Sequence, residues 1–218
     1  MTYRFTSILS LILVLAFGLN ASAQEPDLTP VSKWLKFQSS VRTFEGSFTQ
    51  TRTLTTVRTP QQSSGKMYAD MPSKFRWDAG DTVAIRNGDK MTLIDEKGKK
   101  AKISDAAGAG GPAAALNFAS GNFATTIEEF EKGFEILDLT KSGSFYVLET
   151  KPKDRKMARA IREATFYIHD SHYYLGGMDM QFRDGSNVAT RFSSMRFNGS
   201  IPSSRFTADL TGYKTLGE

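Results

Sequence analysis

The 218-residue chain carries 28 Lys and Arg against 23 Asp and Glu, for a formal net charge of +5, with 2 His and no Cys. The missing thiols exclude disulfides, a cysteine nucleophile, cysteine metal sites and a lipidated cysteine. The basic excess is mild and reads as a solvated surface; with the export signal described next, no nucleic-acid partner is expected.

Met1 to Ser7 has one charge, Arg4; Ile8 to Leu19 is almost wholly apolar; Ala21-Ser22-Ala23 has small residues at the cleavage positions. This is the pattern of a secretory signal peptide, residues 1–23, and residues 24–218 are expected to form one exported domain. The apolar run is short for a membrane span, and no later stretch approaches that length. Without disulfides, stability has to come from burial.

Pro26 to Thr43 reads as an N-terminal helix, with Trp34 and Leu35 on its buried side. Phe44 opens a strand, FEGSFTQTRTL, in which Phe44, Gly46 and Phe48 share one face. Thr55 to Ser64 is polar and predicts a mobile hairpin connection.

Gly65 to Trp77, GKMYADMPSKFRW, predicts two antiparallel strands. Met67 and Ala69 alternate with charged and polar neighbours, as do Phe75 and Trp77, and Met71-Pro72-Ser73 breaks the run because proline cannot donate to a ladder. Strands at Val83 to Arg86 and Met91 to Asp95 flank the turn Asn87-Gly88-Asp89, and a further strand covers Ala101 to Ser104. The stretch from Ala106 to Gly121 is rich in Ala and Gly, with a short helix expected at Pro112 to Ala119. Thr125 to Lys132 predicts a second helix capped by Thr126. Strands resume at Phe134 to Leu139, Phe145 to Thr150, Arg162 to His169, Tyr173 to Phe182 and Val188 to Phe197, with Lys151 to Arg159 as a charged turn. The sum is about ten short strands and a few helices, mainly β: a single curved antiparallel sheet with helical segments on one face.

No catalytic constellation emerges. His169 and His172 sit in one turn and read as exposed loop histidines, since two ligands from one loop do not make a metal site. GAGGPAAA lacks the Lys and Ser/Thr that phosphate cradling needs, and Glu128, Glu129 and Glu131 read as a solvated helix face. No enzyme activity, cofactor or metal is expected. The positive signal is 16 Phe and 8 Met, a soft apolar set suited to varied apolar ligands. The strand patterns nominate Phe48, Met67, Phe75, Trp77, Met91, Leu93, Phe145, Phe166, Met178, Met180, Phe182 and Phe192 as inward-facing. Such a set fills a core or, under a helical lid, lines a lipid-sized cavity.

These segments resemble the periplasmic outer-membrane lipoprotein carrier family. The family's aromatic strand and its Gln match Phe44, Phe48 and Gln50; its central segment matches Gly65, Met67, Tyr68, Pro72, Phe75 and Trp77; its hairpin matches Asn87, Gly88 and Asp95. The C-terminal strands match more loosely. The resemblance implies an incomplete antiparallel β-barrel closed by short helices over a hydrophobic cavity lined by the residues nominated above, with Met71, Pro72, Lys74 and Arg76 at a lid or docking edge. It implies a periplasmic monomer that takes acylated lipoprotein or lipid cargo from an inner-membrane ABC transporter to an outer-membrane receptor lipoprotein. Many members carry a basic residue just before the motif's proline; here that position is Met71, so Asp70, Lys74 or Arg76 would act in its place, or the lid is governed differently. The alternatives are a carrier of another lipid and a lipoprotein-sensing regulatory module.

Overall fold

The computed structural model describes residues 26–106 and 124–216. The expected signal peptide and the expected helix at Pro112 to Ala119 lie outside the described residues.

Twelve strands build one sheet: β1 (Thr43–Thr53), β2 (Gln61–Asp70), β3 (Lys74–Ala79), β4 (Thr82–Asn87), β5 (Lys90–Asp95), β6 (Lys100–Asp105), β7 (Phe134–Ser142), β8 (Phe145–Pro152), β9 (Ile161–His169), β10 (Leu175–Phe182), β11 (Asn187–Phe197) and β12 (Lys214–Leu216). Their order is β12-β6-β5-β4-β3-β2-β1-β11-β10-β9-β8-β7. Two meanders are therefore sewn together where β1 pairs with β11, and the curved sheet stays open, with β12 and β7 at its edges. Every neighbouring pair is antiparallel except β12 with β6, which is parallel. That pair was not anticipated, because KTL is three exposed, mostly polar residues.

Helix α1 (Thr29–Ser40) buries Pro30, Val31, Trp34 and Leu35 along one stripe. It ends three residues before the expected boundary, and Thr43 already belongs to β1. The polar connection expected through Ser64 is shorter than the sequence suggests: β2 starts at Gln61, opposite Arg52. Helix α2 (Ile127–Gly133) has the expected cap, with Thr126 Oγ1 accepting from the Glu129 amide at 3.3 Å. Glu129 Oε2 reciprocates by accepting from the Thr125 amide at 2.8 Å and the Thr125 hydroxyl at 2.9 Å. A third helix, α3 (Arg155–Ala160), occupies part of the expected charged turn. Asp154 starts it, accepting from the amides of Lys156 and Met157 at 3.0 and 2.9 Å.

Helices α1 and α2 cover one face of the sheet, hereafter the inner face. Val31, Trp34 and Leu35 pack with Phe130, Phe134, Leu148, Ala164, Phe166, Ile168, Met178 and Met180 over strands β7 to β10. Aromatic edges hold this cluster: Trp34 meets Phe130 at 5.8 Å and Phe166 at 5.6 Å between ring centroids. The outer face of the other half is covered by the C-terminal segment. A 3-10 turn at Ser203–Phe206 buries Phe206, and Leu210 and Tyr213 pack on Val83, Ile85, Ile94 and Ala101. No helix among the described residues is long and apolar enough to cross a membrane.

Candidate functional site

The inner face of β1 to β6 is where the sequence concentrates its apolar alternation, and the register resolves it into three cross-strand rows. Phe44, Ala69, Phe75, Arg86, Met91 and Ser104 stand directly opposite one another along the first. Gly46, Met67, Trp77, Ala84, Leu93 and Lys102 form the second. Phe192, Phe48, Gly65, Ala79, Thr82, Asp95 and Lys100 form the third. Directly opposed residues project to the same side of a sheet, so the first two rows make an apolar strip interrupted by Arg86 on β4 and turning polar at β6.

Two glycines shape the strip. A Cβ on Gly65 would lie 1.7 Å from the Asp78 carbonyl oxygen and 2.8 Å from Phe48 Cζ. Without it, the Phe48 ring crosses β2 and stacks on Trp77, centroids 3.7 Å apart. A Cβ on Gly46 would meet Met195 Sδ; the β1–β11 register slips there, and Met195 packs across the gap onto the same cluster.

Burial falls along the strip. Met67, Ala69, Phe75, Ala84 and Met91 are buried together with Ala106. Phe44, Met71, Trp77, Phe192 and Met195 pack around them half-buried, while Leu93, beside Ala84 in the second row, is 40% exposed. The strip thus runs from a closed interior to an open apolar rim at Leu93. Four of the eight methionines in the chain, Met67, Met71, Met91 and Met195, give it adaptable walls.

The residues nominated from sequence fall into three groups. Phe48, Met67, Phe75, Trp77, Met91, Leu93 and Phe192 share the inner face of this half. Phe166, Met178 and Met180 also face inward, but they are buried beneath α1 and α2, with Phe182 packed at the margin of that cluster. Phe145 stands on the outer face. It is opposite His169 and meets the rings of His169 and Tyr167 at 5.6 and 6.5 Å. Its neighbours of opposite parity, Leu148 and Thr150, take the buried side.

Lys74 and Arg76 likewise lie on the outer face, alternating with Phe75 and Trp77. Lys74 Nζ pairs with Asp70 at 2.9 Å and lies over the Phe206 ring. Arg76 Nε donates to Asp78 at 2.7 Å, and its Nη1 donates to the carbonyls of Arg205 and Thr207 at 3.2 and 3.4 Å. These cations fasten the C-terminal segment. At the expected lid edge, Met71 packs against the inner cluster, and Pro72 sits exposed at the tip of the β2–β3 turn. Arg86, opposite Phe75 and Met91, lies on the inner face by strand parity.

His169 and His172 stack at 5.2 Å beside Tyr174, at the turn between β9 and β10. No group of three or more metal-ligating side chains occurs among the described residues. The Asp170 carboxyl is held below its ordinary pKa, first by the Ser171 hydroxyl and then by Lys141.

The sequence profile described as "Outer membrane lipoprotein carrier protein LolA" matches residues 39–209. An "Outer-membrane lipoprotein carrier protein" of Chromobacterium violaceum is 26% identical over 197 residues, 88% of this chain and 87% of that protein. One of the same description from Methylococcus capsulatus is 41% identical over 56 residues, 26% of this chain and 27% of that protein. Among solved structures, an uncharacterized conserved protein of Thermus thermophilus shares the fold, with a TM-score of 0.55 at 6% identity over 87% of this chain and 97% of that one. A LolA superfamily protein of Nitrosomonas europaea aligns with a TM-score of 0.46 at 10% identity, covering 82% of this chain and 96% of that one.

Proposed function

From the premise that this chain belongs to the outer membrane lipoprotein carrier (LolA) family, we propose that it is a periplasmic carrier that shields the acyl chains of lipoproteins on the inner face of β1 to β6. The observation that carries this reading is the apolar strip of Phe75, Met91, Met67 and Trp77 running out to exposed Leu93. An acyl chain in water costs about 0.8 kcal/mol per CH₂, so crossing an aqueous compartment needs an apolar container. The half of the inner face under α1 and α2 is already filled by Trp34, Phe130 and Phe166. The other half has methionine walls and a rim at which a chain can enter, and admitting one requires the packing over Phe75 and Met91 to open.

In this reading the protein binds and releases without chemistry. It receives cargo from an inner-membrane ABC transporter and yields it to an outer-membrane receptor lipoprotein, with the β2–β3 turn at Met71 and Pro72 as the docking edge. The test is displacement of a bound fluorescent hydrophobic probe by a diacylated lipopeptide. The lipopeptide displaces the probe from the native protein, and Trp77→Ala weakens it about tenfold or more while the fold persists. Absence of displacement by the lipopeptide overturns the reading.

A further inference from the structure

Three connections at one end of the sheet meet and bring cations together. The β10–β11 turn is tied to α3: the Arg183 amide donates to the Ala160 carbonyl at 2.9 Å, and Arg183 Nε donates to the Ala158 carbonyl. On its other side the same turn lies against the β1–β2 loop, where a Cβ on Gly185 would sit 3.0 Å from Thr55 Cγ2. The β1–β2 hairpin stands past β3 at this end, because β2 starts at Gln61 and pairs with β3 only from Gly65. Asp81 and Glu96, in the β3–β4 and β5–β6 turns, are therefore set back from its tip.

Residues 54–60, 153–160 and 183–186 carry six cations, Arg58, Lys153, Arg155, Lys156, Arg159 and Arg183, against two carboxylates, Asp154 and Asp184. The whole chain is nearer balance, at 28 against 23, so the excess is local. All six cations are exposed, and among the described residues none is in an ion pair. The two carboxylates turn onto their own backbone: Asp154 caps α3, and Asp184 accepts from the Ser186 amide at 2.9 Å. No acidic residue occurs between Glu45 and Asp70. Val57, beside Arg58 in the loop, is 41% exposed.

An anionic lipid surface attracts each Lys or Arg that comes within about a Debye length, roughly 8 Å at physiological salt. Cations on adjoining turns, with no carboxylate partner to cancel them, add their attraction. An exposed valine among them supplies an apolar group for the headgroup boundary. A protein partner would need an apolar or aromatic centre to desolvate, and beyond Val57 these turns offer none.

We propose that this end of the molecule, formed by α3, the β10–β11 turn and the β1–β2 loop, is a docking surface for a bilayer containing anionic phospholipid. The surface is separate from the apolar strip and does not depend on the acyl-carrier reading. Met71 and Pro72 follow the opposite end of β2, so a molecule seated on a membrane in this way keeps that edge accessible.

The experiment is co-sedimentation of the full protein with vesicles of phosphatidylcholine alone and of an equimolar mixture with phosphatidylglycerol. At about 0.1 M salt the protein partitions onto the anionic vesicles about tenfold or more strongly than onto the neutral ones, and the difference fades at about 0.5 M. Arg58→Glu combined with Arg155→Glu lowers partition onto the anionic vesicles about tenfold or more. The same charge change placed elsewhere, Lys66→Glu with Lys102→Glu, leaves it within about twofold. Equal partition of the native protein onto both vesicles, or an equal loss in the two double variants, overturns the proposal. So does retention of the protein by immobilised poly-glutamate through Arg58 and Arg155 without binding to either vesicle, which would make the occupant an acidic protein. Should the Arg58 and Arg155 pair fail to fold by circular dichroism, Arg58→Gln and the native dependence on lipid charge and salt decide the matter. None of these results bears on probe displacement by lipopeptide, which tests the carrier reading by itself.

Discussion

The indole of Trp77 lies stacked on the ring of Phe48, centroids 3.7 Å apart and planes 23° from parallel, although the two residues sit on strands separated by β2. The contact exists because Gly65 on the intervening strand has no side chain to block it. Gly65→Ala therefore has to push a methyl group into the Asp78 carbonyl, which is backbone and cannot swing aside. We expect a loss of about 2 kcal/mol or more, toward the upper part of the range for overpacking, measured by urea denaturation. A midpoint unchanged from the native protein would show that β2 and β3 can part there at no cost.

Trp34 anchors α1 to the filled half of the sheet, in ring contact with Phe130 and Phe166. It is fully buried. Trp34→Ala should cost about 3–5 kcal/mol, the usual range for deleting a buried aromatic. Thermal unfolding checks this; a loss under about 1 kcal/mol would mean that α1 is not held by this residue.

Phe206 plays the corresponding part on the outer face. It is buried against β3 and β4, and its carbonyl accepts from Asn87 Nδ2 at 3.3 Å. Phe206→Ala should cost about 3 kcal/mol and should speed hydrogen exchange at the β12 amides, Lys214 to Leu216, more than at β9. Uniform acceleration across the sheet would contradict a separately fastened segment.

The first turn of α2 should be sensitive to acid. The Thr125 amide and hydroxyl hold the Glu129 carboxyl below its ordinary pKa. A carboxyl whose folded-state pKa is depressed stabilises the fold above its unfolded value, about 4.3, and that contribution fades as pH falls through the folded value. Glu129→Gln should therefore lower Tm at pH 7, and the gap from the native protein should narrow as the pH falls below the unfolded value. Melting curves across that range decide it; a gap independent of pH would remove the carboxylate from the account.

How far the fold was legible follows from where its determinants lie. Phe75 and Trp77 were placed correctly because Lys74, Arg76 and Asp78 alternate with them, so local parity and chemistry agree. In FYVLET they do not: Phe145 and Val147 are as apolar as Tyr146 and Leu148. The side that faces the core is decided by α1, more than a hundred residues away in sequence, so Phe145 was assigned inward and stands outward. Lys74 and Arg76 look free in their strand, yet Lys74 lies over the Phe206 ring and Arg76 donates to the carbonyls of Arg205 and Thr207, contacts that no local pattern records. β12 is legible only through its partner.

The claim on which the rest depends is that acyl chains lie on the β1 to β6 half of the inner face and not under α1. A lipopeptide bearing a diazirine at the end of one acyl chain, bound to the full protein, irradiated and mapped by peptide mass spectrometry, tests it most directly. The adducts should fall on Met67, Trp77, Met91 and Leu93. Labelling confined to Val31, Leu35, Phe130 or Phe166 would contradict it.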